Sequence, residues 1–190
     1  MIKVKDTDAL IVVDVQNDFC AGGTLAVPNA DQIIHPINSI LKAFEHIVFS
    51  RDWHPADHCS FSDSPEFQDK SWPTHCVENS PGAEFHPDLR VPVDALIVNK
   101  GTSPDKEAYS AFDGTMLAEI LRSQGVRRVF ITGLTLDYCV RETAPDALRE
   151  GFEVVLVEDC TRAVAPDETN AIVKELREAG VEIVRSDEVS

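Results

Sequence analysis

The stretch Val129-Phe-Ile-Thr-Gly-Leu-Thr-Leu-Asp-Tyr-Cys139-Val140 decides how the chain is read. Val129 to Thr132 is a short run rich in β-branched residues ended by Gly133, which predicts a buried strand. From Tyr138 onward, Val140, Ala144, Ala147 and Leu148 recur at helical spacing, so Cys139 falls at or just before a helix start. A thiol there feels the partial positive charge of unsatisfied helix N–H groups, which lowers its pKa and favours thiolate. Those N–H groups, with the turn after Gly133, can hold an oxyanion. A small apolar core role accounts for the same cysteine equally well, because free Cys is among the most buried residue types. Position alone does not choose between the two.

The same strand-then-site pattern recurs on either side. Ala9-Leu-Ile-Val-Val-Asp14-Val opens the chain with an apolar run suited to a strand covered on both faces, with Asp14 at its C-terminal end. Asp31 can cap a helix that lays Ile33, Ile34, Ile37, Ile40, Leu41 and Phe44 on one face, with Pro36 in its first turn. His46 to Asp52 is a second strand ending in a carboxylate, and Asp94 to Lys100 a third ending in a lysine. A helix over Thr115 to Gln124 turns Met116, Leu117, Ile120 and Leu121 inward. Pro145 should bend the helix after Cys139. Glu153 to Asp159 is the fifth strand, Pro166 to Ala179 a helix with an acidic first turn, and Glu182 to Arg185 the last strand. Strands alternating with helices give a parallel sheet with helices on both faces.

In such a sheet the C-terminal strand ends lie along one edge, so Asp14, Asp52, Lys100 and Cys139 can converge there. One acidic strand end is commonplace, since Asp often caps the next element. Asp, Lys and Cys at three ends favour catalysis over coincidence. Residues 53–93 carry no sustained period, and a loop of that length is usually functional. Asp52-Trp-His54 in extended chain points both side chains to one face. With His75 in Trp72-Pro-Thr-His75-Cys, this set suits zinc, iron or manganese with positions left for water or ligand. His58 is a further candidate ligand, though a solvated loop histidine is the simpler expectation. His35, His46 and His86 read as structural or surface residues.

The 190 residues are most simply one domain, residues 1–190. A net charge of -16 argues against nucleic acid or an anionic membrane as partner. No apolar run reaches the roughly 18 residues of a membrane span, and the first residues lack a signal peptide's apolar core. Five cysteines without paired spacing do not suggest a disulfide framework, so a reducing cytoplasm is the default expectation. The first strand is followed by Gln16-Asn-Asp-Phe rather than a glycine-rich turn, which removes the cradle for a dinucleotide pyrophosphate. No phosphate-binding loop of the nucleotide-hydrolase type occurs either.

Taken in order, Asp14-Val-Gln-Asn-Asp-Phe19-Cys-Ala-Gly-Gly, Arg51-Asp-Trp-His54-Pro, Trp72-Pro-Thr-His75-Cys-Val, Asn99-Lys100-Gly, Ala108-Tyr-Ser-Ala-Phe-Asp-Gly and Gly133-Leu-Thr-Leu-Asp-Tyr-Cys139-Val closely resemble the nicotinamidase/pyrazinamidase family of isochorismatase-like cysteine hydrolases. The resemblance runs from about Ala9 to the end of the chain. It implies a three-layer α/β/α fold with a six-stranded parallel sheet, and conversion of nicotinamide, with pyrazinamide as a second substrate, to the acid and ammonia, as in NAD salvage. By that resemblance Asp14 is the base, Lys100 steadies charge and Cys139 attacks the carboxamide. Backbone N–H groups of Thr135 and Cys139 would hold the oxyanion, with a cis peptide between Leu134 and Thr135. Asp52, His54 and His75 match the ligands of a divalent metal, zinc foremost with iron(II) or manganese(II) as alternatives. Phe19, Trp72 and Tyr109 match aromatic walls around the pyridine ring. The implied partner is the small-molecule substrate, and a homo-oligomer is compatible. Leu136 stands where the family usually has Thr, and Ala111 where Gly is common; both bear on pocket shape.

Rival readings are another amidase of the same fold, such as an N-carbamoylsarcosine amidase, which would not need the Asp-x-His set, and an isochorismatase, which generally lacks the nucleophilic cysteine. A metal-binding scaffold without catalysis is the rival from a different class, and the intact Asp14, Lys100 and Cys139 argue against it.

Overall fold

The computed structural model describes residues 1–67 and 69–190. Six strands, β1 (Asp8–Val13), β2 (His46–Asp52), β3 (Leu96–Lys100), β4 (Arg128–Leu134), β5 (Glu153–Arg162) and β6 (Glu182–Val184), form one sheet in the order β3-β2-β1-β4-β5-β6. Every neighbouring pair is parallel. The chain builds outward from β1 through β2 to β3, then returns to lay β4 on the other flank of β1. That reversal opens a crevice at the C-terminal ends of β1 and β4, where α/β sheets place their sites.

Strand side chains alternate between faces, so an unbroken apolar run fills two cores at once. Ala9, Ile11 and Val13 of β1 pack with Val129 and Ile131 of β4 against Leu117 and Leu121 of α2 (Leu117–Ser123), Ala144 and Ala147 of α3 (Arg141–Arg149), and Ile172 and Leu176 of α4 (Thr169–Glu178). Leu10 and Val12 turn the other way and meet Phe49, Phe130, Val155 and the isoleucines of α1 (Ile34–Ile40). The result is three layers, as expected.

Several local expectations need correction. Asp31 does not cap α1: a 3₁₀ turn over Ala30–Ile33 leads into the helix, and the Asp31 carboxylate instead accepts the Ala21 N–H at 3.0 Å. The apolar stripe from Ile33 to Phe44 is nevertheless buried throughout. Met116 precedes α2 and is 69% exposed rather than inward, because the helix begins one residue later, at Leu117. Pro145 does lie within the helix after Cys139, at the fifth residue of α3. Gly133 lies inside β4 rather than ending it. Its φ is +101°, and a Cβ there would collide with the Val13 carbonyl, so only glycine lets β4 run this close to β1. β5 extends three residues past its expected end at Asp159.

Candidate active site

Each chemistry-bearing residue sits at a strand end. Asp14 follows β1 with φ +48°, Asp52 closes β2, Lys100 closes β3, and Cys139 lies five residues beyond β4. Cys139 does not open an α-helix directly. It occupies a wide turn, Leu136–Val140, closed by the Val140 N–H donating to Thr135 O at 3.0 Å, and α3 follows. The peptide between Leu134 and Thr135 is cis.

Lys100 is the hub. Its Nζ lies 2.9 Å from Asp14 Oδ2, 2.5 Å from Asp52 Oδ1 and 3.5 Å from Cys139 Sγ, and donates to Ala108 O at 3.2 Å. All four residues are buried. Asp14 Oδ1 accepts from Ser50 Oγ at 2.7 Å, while Oδ2 pairs with the Lys100 ammonium. An Asp14 carboxylate oxygen also lies within 4.8 Å of the Cys139 sulfur, where it is placed to receive the thiol proton.

The electrostatics revise one expectation. Burial pushes the Cys139 thiol well above its ordinary pKa, and Asp14 and Asp52 push the same way, outweighing Lys100. Cys139 therefore rests as a thiol, not as the thiolate expected from a helix N-terminus. Burial also raises Asp14, against the pull of Lys100, to about 6. Asp52 goes the other way: burial opposes its ionisation, yet the Lys100 ammonium together with His54 and His75 holds it well below the usual carboxylate range. Two carboxylates with separated pKa values, one poised near neutrality, are the arrangement of an acid–base site.

Ligand atoms of Asp52, His54 and His75 lie within 4.8 Å of one another. His54 Nδ1 is 2.8 Å from Gly101 O and His75 Nδ1 is 2.8 Å from Pro73 O. A carbonyl only accepts, so each Nδ1 carries the proton in the neutral ring, leaving Nε2 as a bare donor atom. His54 Nε2 stands 3.7 Å from Asp52 Oδ2. This set of one carboxylate and two imidazoles fits a divalent cation. Gly101 is constrained as well, since a Cβ at its φ of +61° would strike the His54 ring.

His58 is not the solvated loop histidine expected. It is 2% exposed, its ring centroid is 4.0 Å from that of His54, and its nitrogens face Ser60 Oγ at 2.8 Å and Lys106 O at 3.3 Å. His35 is exposed, and His46 and His86 are half-buried away from the site.

The cavity above Cys139 is lined by Phe19, Trp72, Tyr109, Thr135, Asp52, His54 and His75 among others. Trp72 Nε1 donates to the Tyr109 hydroxyl at 3.0 Å, and its ring meets Tyr138 edge-on at 4.9 Å. Tyr138, Leu25, Glu107 and Val164 also line the cavity and were not anticipated. Tyr138 adjoins the nucleophile candidate and could have been suspected; single loop residues such as Leu25 and Val164 leave no periodic signal. Nor was Ser50 anticipated, although its place two residues before Asp52 puts it beside Asp14.

Comparison with known proteins follows the same lines. The model of the isochorismatase domain matches residues 8–188. A nicotinamidase/pyrazinamidase of Mycobacterium tuberculosis is 42% identical over 94% of this chain and 98% of its own. The crystal structure of a Pyrococcus horikoshii pyrazinamidase in complex with zinc superposes with a TM-score of 0.86 at 47% identity, covering 94% of this chain and 99% of that one. PnC1 from L. infantum, solved in complex with nicotinate, gives a TM-score of 0.91 at 39% identity, covering 100% and 98%.

Proposed function

The chain belongs to the isochorismatase domain family, and on that premise we propose that its site is that of a cysteine amidohydrolase acting on nicotinamide. The enzyme converts nicotinamide and water to nicotinate and ammonia. The observation that carries the mechanism is the buried Asp14 carboxylate beside Lys100 and Cys139.

Asp14 takes the Cys139 proton as the sulfur bonds to the carboxamide carbon. The Lys100 ammonium, 3.5 Å from Sγ, offsets charge on sulfur that burial otherwise opposes. The oxygen, now anionic, rests on the backbone N–H groups of Thr135 and Cys139. Asp14 returns the proton to nitrogen, the C–N bond breaks, and ammonia leaves a thioester. Water, deprotonated by Asp14, then attacks the thioester carbon; the C–S bond breaks, nicotinate leaves and Cys139 regains its proton. A base with a pKa of about 6 suits both directions of transfer near neutrality.

Asp52, His54 and His75 would hold the metal, zinc by preference, with iron(II) and manganese(II) compatible with the same donors. When bound, the ion supplies a Lewis-acidic position for the pyridine ring nitrogen. Phe19, Trp72 and Tyr109 flank the ring and exclude water from it. Ammonia and nicotinate release from nicotinamide by purified, metal-loaded protein tests the reading; absence of both products overturns it.

A further inference from the structure

The Gln16 side chain stands where a strand is missing. β1 pairs with β2 only as far as Val13 opposite Ser50, and the last rung is the Asp14 N–H donating to Ser50 O at 3.1 Å. The chain then turns away at Asp14. In a parallel ladder, every second residue offers its N–H and C=O to the same side. Trp53 donates to Lys100 O on β3 at 3.0 Å, so Asp52, like Ser50, faces the flank that β1 has left. Both backbone groups of Asp52 would be buried there without partners, an expensive state.

Gln16 fills the gap. Its Oε1 accepts the Asp52 N–H at 2.9 Å, and its Nε2 donates to Asp52 O at 2.8 Å and to Ala83 O at 2.9 Å. The residue is fully buried, and both of its amide protons are used. One carboxamide thus acts as an extra rung of β1 and locks the end of β2 from which the Asp52 carboxylate reaches Lys100 and His54.

We propose that Gln16 is a positioning residue for the metal centre, setting divalent-cation affinity through the backbone of Asp52 without touching the ion. The inference rests on Asp52, His54 and His75 being the ligands. A glutamine that only braced the fold would change stability and leave affinity alone. Asn17 provides the internal control: its Nδ2 donates to Pro81 O at 2.8 Å, tying the same loop to the same neighbouring segment without contacting Asp52.

The experiment is zinc titration of metal-free protein against a chromogenic chelator, alongside the melting temperature of each metal-free variant. Gln16→Met keeps the side chain's size and removes all three hydrogen bonds; it should weaken zinc binding about 10- to 100-fold, as loss of a group that orients a ligand typically does. Asn17→Ala should leave zinc affinity unchanged whatever it does to melting. Should Gln16→Met fail to fold, Gln16→Asn, with its amide one methylene short of Asp52, is expected to show the same weakening. Zinc binding as tight as the parent's in either Gln16 variant, or an equal loss in Asn17→Ala, overturns the proposal. A parent protein that binds no zinc overturns the ligand assignment itself, and the inference falls with it.

Discussion

Asp14 Oδ2 lies 2.9 Å from the ammonium of Lys100, and neither side chain is exposed to solvent. The same ammonium reaches Asp52 at 2.5 Å, so a single lysine joins the proton-transfer half of the site to the metal-ligand half. Burial raises Asp14 against the pull of this shared cation, and the Asp52 charge adds to the rise, while Asp52 itself stays ionised.

Removing that cation should therefore damage both fold and chemistry. Lys100→Met leaves Asp14 and Asp52 facing each other without compensation, and breaking a buried ion pair in this way costs roughly 3–5 kcal/mol. Chemical denaturation should show that loss, with turnover of nicotinamide falling to background. Near-wild-type stability would mean the carboxylates are relieved by some other group.

Cys139→Ala should abolish ammonia release while nicotinamide binding and the melting temperature stay close to those of the parent. The reason is positional: the side chain is small, 4% exposed, and lines the cavity. Turnover above a trace in this variant would exclude the thioester route.

Asp14 governs the acid side of the pH profile. The carboxylate is the active form of the base, so kcat/KM for nicotinamide should rise with pH through a midpoint of about 6 and level off above it. A cation on the neighbouring ligands can only favour ionisation of Asp14, moving the midpoint down. Asp14→Asn should lower acylation about 10²–10⁴-fold and slow alkylation of Cys139. A flat profile between pH 5 and 7 in the metal-free parent, or unchanged turnover in the variant, would place the base elsewhere.

Metal removal separates positioning from thiol chemistry. Nicotinamide and pyrazinamide both present a ring nitrogen, whereas benzamide has a C–H there. Chelation, or His54→Ala, should cost about 10²-fold in kcat/KM on the first two, the penalty expected when a reacting carbon is displaced by about 1 Å. Benzamide should be a poor substrate with metal bound and respond little to chelation. Equal rates on benzamide and nicotinamide, with no effect of chelation, would sink the assignment.

The parallel α/β architecture, the strand ends that carry Asp14, Asp52, Lys100 and Cys139, and the Asp52-Trp-His54 pair with His75 are all legible in the amino-acid order. Those features are written in short-range periodicity, and a parallel sheet turns separate strand ends into one edge without further information. The charge states depend on contacts made between distant parts of the chain. The Cys139 thiol was expected to be acidified by its local turn, yet its pKa is set by burial and by carboxylates far away in the chain. His58 looked like a solvated loop residue because burial of a loop depends on what folds over it, here His54 and the Lys106 carbonyl. Gln16 carried no signal beyond the absence of a glycine-rich turn, since its partners are backbone groups of Asp52 and Ala83, 36 and 67 residues away. Local pattern specifies which elements form and where they stop; desolvation and hydrogen-bond completion arise only once those ends are brought together.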